Sequence, residues 1–145
     1  MNKHHYYQTH CSTKLISLKL FNLKHKTKRE FGNQLEEFAA RTLTEKGLNI
    51  VSQNYLCKMG EIDLIARDQR DLVFIEVRYR KSESFGGSVA SVNKKKQRRI
   101  ILAANHYLQK HQLANKVPCR FDVFAITGTI QQLEFNWIKG AFNSY

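Results

Sequence analysis

Five acidic side chains fall within GEIDLIARDQRDLVFIEVRYR, residues 60–80, in a 145-residue chain whose formal charge is +12. Two of them, Asp63 and Glu76, interrupt segments that otherwise read as buried strands: EIDLIAR and LVFIEVR, separated by the polar turn DQRD. With 68–71 as the turn and Arg67 facing Leu72, counting outward sets Asp63 opposite Glu76 and Glu61 opposite Arg78. Directly opposed residues in an antiparallel pair share a face, with Cβ atoms roughly 4.5 to 5.5 Å apart, so two carboxylates converge. Like charges in that position need a bound cation, a shifted pKa or a basic neighbour such as Arg78. Mg2+ or Mn2+ meets the need, since both favour oxygen ligands. A plainer arrangement fits the same pattern: a Glu61–Arg78 surface ion pair, with Asp63 and Glu76 lining a solvent-facing sheet. A register slip of one residue would remove the convergence.

The elements that must position these groups are readable around them. In the hairpin, Ile62, Leu64 and Ala66 alternate with the acidic face and, with Val73, Ile75 and Val77, are expected to bury together against a helix. Phe31, Leu35, Phe38, Ala39, Thr42 and Leu43 recur at helical spacing and stop at Gly47, predicting a helix over 30–46. NIVSQNYLC, residues 49–57, reads as a strand. NKKKQRRIILAANHYLQK predicts a second helix over 94–110, capped by Asn93, with Ile100, Ala103, Ala104, Tyr107 and Leu108 on its apolar face. CRFDVFAIT is a buried-type strand, with IQQLEF pairing to it across a turn at 127–129. The closing WIKGAFNSY is expected to dock Trp137 and Phe142 on the core.

Length and composition allow one domain, over 30–136, with a basic extension at 1–29 and a C-terminal tail at 137–145. The extension carries seven Lys or Arg, four of the six His and no acid; an amphipathic helix, a nucleic-acid-binding arm and an uninvolved tail all fit it. Cys11, Cys57 and Cys119 are odd in number and too widely spaced for a zinc clamp, which suits a reducing, cytoplasmic compartment. Cys57 and Cys119 are expected in the core. No apolar run is long enough for a membrane span. The excess of 24 Lys and Arg over 12 Asp and Glu points to a polyanionic partner, without separating DNA from RNA or an anionic membrane surface.

GEIDLIA, FIEVRYR, FGGSVASVNKKKQRRI and RFDV, in that order, strongly resemble the YraN-like family of small bacterial proteins over about residues 31–126. That family is similar to the restriction-endonuclease-like superfamily and to archaeal-type Holliday-junction resolvases. The resemblance implies an α/β fold with a restriction-endonuclease-like core, a mixed central sheet flanked by helices. It also implies a metal-dependent endonuclease site of an upstream acid, an Asp and a Glu-x-Lys unit. Carried onto this chain, Glu36, Asp63 and Glu76 are the metal ligands and Arg78 stands where the lysine belongs. Arg78 departs from the pattern, because a guanidinium stays charged and serves poorly as a general base, though it can orient a phosphate. Leu35 is a second departure, at a position where the family commonly has Gly. Gln97 or Lys96, from the superfamily's next helix, is implied as a contact to the phosphate or the attacking water. A homodimer is a sensible assembly for a relative of junction resolvases.

Around that site, Lys94, Lys95, Lys96, Arg98 and Arg99 form a basic run at a helix N-terminus, suited to phosphates. Arg80 and Lys81, with a loop at Phe85, Gly86 and Gly87, extend the same surface. Each also reads as an ordinary solvated face or loop. Asp122, inside RFDV, is expected to be structural and partnered by Arg120; His106 reads as a helix-surface residue. Three functions stay open from these residues: a DNA nuclease, a non-catalytic DNA-binding module on the same fold, and an assembly factor.

Overall fold

The computed structural model describes residues 27–81, 92–129 and 132–144. Most of the N-terminal extension and the Phe85–Gly87 loop lie outside the described residues. The chain runs α1 (Lys28–Glu45), β1 (Asn49–Cys57), β2 (Gly60–Asp68), β3 (Asp71–Arg80), α2 (Lys94–Lys110), β4 (Cys119–Thr129) and β5 (Gln132–Phe142). The strands form one mixed sheet in the order β1-β2-β3-β4-β5. All neighbours are antiparallel except β3 and β4, which are parallel and therefore need the long crossover that contains α2. This is an α/β fold with a mixed central sheet flanked by helices, consistent with restriction-endonuclease-like architecture.

Each helix buries one apolar stripe on one face of the sheet. Leu35, Phe38, Ala39 and Leu43 of α1 pack with Leu64, Ala66, Val73, Ile75, Phe124 and Ile126. On the other face, Ile100, Ala103, Ala104 and Tyr107 of α2 pack with Ile62, Ile65, Leu72, Phe74, Phe121 and Val123. The central strands β3 and β4 are covered on both sides, which is why VFI and VFAI read as continuous apolar runs rather than alternating ones. Thr27 caps α1 through a reciprocal capping box with Glu30, so the helix begins two residues before the expected position. Asn93 caps α2 as expected, its side chain accepting from the Lys96 amide.

Several expectations are corrected. The β2–β3 connection is tighter than 68–71: Asp68 pairs with Asp71, leaving Gln69 and Arg70 as the turn, with Gln69 at φ 55°. The last hairpin does not turn at 127–129; β4 continues to Thr129, and Thr129 pairs with Gln132. Gly128 is needed there, since at φ +106° a Cβ would lie 2.1 Å from the Gln132 carbonyl oxygen. WIKGAF belongs to β5, with Trp137 packed toward α1 and Phe142 toward α2. Cys119 is exposed and Cys57 only half-buried, because both sit at strand ends.

Asp122 is fully buried and structural. Its carboxylate accepts from Arg120 Nε at 3.1 and 3.2 Å, Trp137 Nε1 at 3.0 Å and the Gly140 amide at 2.9 Å. The β4–β5 register shifts between Phe121 and Val123, so β5 bulges around this carboxylate. Arg120 also binds Asp68 at 2.7 Å and Asp71 at 3.2 Å, tying the β2–β3 turn to β4. Each Asp122 oxygen accepts two hydrogen bonds, in contrast to Glu76 Oε2, which accepts none.

Candidate functional site

The β2–β3 ladder runs from Asp68↔Asp71 to Leu64↔Ile75 and stops there, although both strands continue. Asp63 and Glu76 are the next residue on each side. Instead of a further ladder bond, the Val77 amide donates to Asp63 Oδ2 at 2.7 Å. On the neighbouring strand Asn54, between the pairs Gln53↔Leu64 and Tyr55↔Ile62, adopts φ 50°, a left-handed conformation that Asn tolerates better than most residues. The strand turns across this point. Leu64 faces α1 while Ile62 faces α2, so the expected single apolar face through Ile62, Leu64 and Ala66 is broken at the acid.

Asp63 and Glu76 lie close enough in the gap where the strands part for each to act on the ionisation of the other. Glu76 is 8% exposed. Its pKa is pushed up from 4.5 to about 7, first by burial and then by the charge of Asp63, with Lys96 acting in the opposite direction. Burial also raises Asp63, partly offset by the Val77 amide and by Lys96. Glu36, a half-buried residue of α1, is raised by burial and then by Asp63, while a side-chain hydrogen bond from Asn54 counters the shift. Three carboxylates from α1, β2 and β3 thus act on one another electrostatically, and the cause common to all is removal from water.

Buried Oε2 atoms of Glu36 and Glu76 accept no hydrogen bond. Lys96 Nζ stands 3.1 Å from Glu76 Oε2 as an ion pair, without the alignment of a hydrogen bond. Glu36 influences Asp63 through charge only. Among the described residues no three His, Cys, Asp or Glu side chains close on one metal position. The Asp63–Glu76 pair, with the unsatisfied buried Oε2 of Glu76, nevertheless fits a hard divalent cation. Mg2+ commonly takes one or two carboxylates and keeps several waters or substrate oxygens.

The remaining candidates divide by position. Arg78 lies two residues beyond Glu76 on β3, half-buried, and lowers the Glu76 pKa less than Lys96 does. Arg80 is half-buried at the end of β3, and Lys81 is exposed just after it. Lys94, Lys95, Arg98 and Arg99 are exposed on α2, whereas Lys96 turns toward the acids. Gln97 Nε2 donates to the Val92 carbonyl at 2.6 Å and fastens the entry to α2. Glu61 is exposed and has no ladder partner on β3. Asn54 joins the site unannounced: in NIVSQNYLC only its turn-tolerant amide type hinted that the strand would twist there. His106 is exposed as expected and bonds the Tyr55 hydroxyl at 2.7 Å.

Residues 35–126 match the uncharacterised protein family UPF0102, spanning α1 to β4 and every acid of this group. The chain is 48% identical over 120 residues to a UPF0102 protein of Alcanivorax borkumensis, covering 82% of this chain and 96% of that one. It is 45% identical to a UPF0102 protein of Nitrosococcus oceani, covering 83% and 97%. A UPF0102 protein of Pseudomonas syringae pv. tomato is 42% identical over 123 residues, covering 81% and 96%. With the twisted, acid-bearing β2–β3 hairpin between two helices, these likenesses make the chain a member of the UPF0102, or YraN-like, family, related to the restriction-endonuclease-like superfamily.

Proposed function

We propose that the chain is a metal-dependent DNA endonuclease that hydrolyses phosphodiester bonds, with branched DNA as its expected substrate. The observation that carries this reading is the juxtaposition of two carboxylates, the half-buried Asp63 and the buried Glu76, whose pKa values are both raised and whose charge is only partly answered by protein cations. Such a pair is costly to a fold unless it does something, and pairs of this kind cluster at functional sites. In this reading Asp63 and Glu76 hold Mg2+ or Mn2+, with Glu36 reached directly or through a water. The bound ion would supply an activated water and neutralise charge on the phosphate.

The chain's own residues do the rest. Arg78 orients the scissile phosphate with a fixed donor fork. Lys94, Lys95, Arg98 and Arg99, with Arg80 and Lys81 from the end of β3, hold neighbouring phosphates and contribute affinity without reading bases. Lys94 and Lys95 sit in the first turn of α2, which contains no acid, so free backbone amides add to the attraction for an anion. A homodimer would let two such sites cut opposed strands symmetrically. A cytoplasmic setting accords with the free thiols of Cys57 and Cys119. Among the described residues no helix is long and apolar enough to cross a membrane.

A second reading, a DNA-binding module whose chemistry has lapsed, draws on Arg78 in the lysine position and on the open, two-carboxylate metal bed. The two separate in one assay: labelled linear, single-stranded, flap and four-way-junction DNA incubated with Mg2+, Mn2+ or EDTA. The nuclease reading expects metal-dependent cutting that falls by at least about a hundredfold in Asp63→Asn and Glu76→Gln. Binding of every substrate with no metal-dependent cut would favour the module.

A further inference from the structure

The basic run of α2 is not uniform. Lys94, Lys95, Arg98 and Arg99 are exposed, but Lys96 is half-buried and its ammonium lies 3.1 Å from Glu76 Oε2. Its direction is set by the entry to the helix: Asn93 Oδ1 accepts from the Lys96 amide at 2.9 Å, and Gln97 Nε2 ties back to Val92 at 2.6 Å. Lys96 also acts on Asp63 and Glu36 as a positive charge that lowers their pKa, though only Glu76 is in direct contact with it. Its contact with Glu76 lacks hydrogen-bond alignment, and its side chain is 38% exposed, which leaves it a water-facing path of withdrawal.

We propose that Lys96 is the exchangeable counter-ion of this site: it neutralises Glu76 in the metal-free chain, yields it to a divalent cation, and then serves the scissile phosphate in the place of the lysine that Arg78 displaced. This inference rests on the nuclease reading above. A flexible four-carbon stem with a compact charge suits such a change of partner, whereas a guanidinium on the rigid β3 strand does not. A cation that must leave a carboxylate before a metal binds lowers the apparent metal affinity. The same cation, once free, stabilises charge on the phosphate. Removing it therefore moves binding and cutting in opposite directions, a split that loss of a merely structural contact would not produce.

The test uses the full chain and Mn2+ alone as the probe, titrated by calorimetry at pH 8.5, above the raised pKa of Glu76. Cleavage of a junction substrate is measured beside it. Lys96→Met is expected to bind Mn2+ about tenfold more tightly and to cut about a hundredfold more slowly. Lys96→Arg, which keeps the charge, should stay within about twofold of the wild-type Mn2+ affinity. Lys116→Met, which removes one exposed charge elsewhere, should change neither quantity, and adding Glu76→Gln to Lys96→Met should abolish the gain. Unchanged or weaker Mn2+ binding in Lys96→Met, while Asp63→Asn and Glu76→Gln still weaken it, would overturn the counter-ion role and leave the nuclease reading standing. Tighter binding with undiminished cutting would overturn the role at the phosphate. Wild-type Mn2+ binding that is absent, or indifferent to Asp63→Asn and Glu76→Gln, would remove the metal reading and this inference with it.

Discussion

Glu76 is the residue where the site's cost to the fold can be measured. Its pKa in the folded chain, about 7, lies above the ordinary value of 4.5, so between those pH values the folded state holds a proton that the unfolded state has lost. Stability therefore falls as pH rises through that window, and above it the ionised, buried carboxylate costs on the order of 3 kcal/mol. Glu76→Gln should raise the melting temperature by several degrees at pH 8 in EDTA and by little at pH 5. Thermal melts of the two proteins at both pH values check this; a variant less stable than wild type at pH 8 would contradict it. The convergence of Asp63 and Glu76 was legible in the sequence because strand periodicity and turn position fix which residues face each other. Their raised pKa values were not, since burial depends on helices packed from far along the chain. Nor was the left-handed turn at Asn54, a local choice among several that an Asn permits.

At the scale of elements, both helices and every strand follow from apolar spacing and caps, with ends shifted by a few residues except in β5, which runs on through the expected tail to Phe142. The differences share a cause: polar residue type points to longer hairpin turns, but the paired strands keep their ladder bonds further than polarity suggests, to Asp68↔Asp71 and Thr129↔Gln132. The first turn of α2 holds Lys94, Lys95 and Lys96 and no acid, set against the helix dipole at a cost of about 0.3 to 1 kcal/mol per exposed charge. A phosphate at that end would relieve the opposition. Asn93 offsets part of it by capping the Lys96 amide. Asn93→Ala should cost about 1 kcal/mol of stability. It should also loosen the direction of Lys96, so DNA cutting should fall by more than the loss of folded protein accounts for. Chemical denaturation paired with cleavage rates separates the two effects; a rate reduced only in proportion to the unfolded fraction would show that the cap serves stability alone.

The whole molecule opposes two acidic groups on one sheet. At the β2–β3 turn, Asp68, Asp71 and Asp122 are answered by Arg120, Trp137 and backbone donors, and that end is closed. At the parted end of the same strands, Glu76 Oε2 accepts no hydrogen bond, and Lys96 of α2 and Arg78 of β3 act on the acids as positive charges. The charge of +12 pointed to a polyanion from the sequence alone, but composition could not say that Lys96 would be turned onto a buried acid. The most direct measurement is a Mn2+ titration of the amide NMR spectrum of the whole chain, which asks where among all its residues a divalent cation settles. Paramagnetic broadening should begin at Asp63, Glu76 and Val77, spread to the first turn of α2, and be lost in Asp63→Asn. Broadening that starts at the Asp68–Asp71 turn, or that is indifferent to Asp63, would contradict the assignment of the metal to the parted strands.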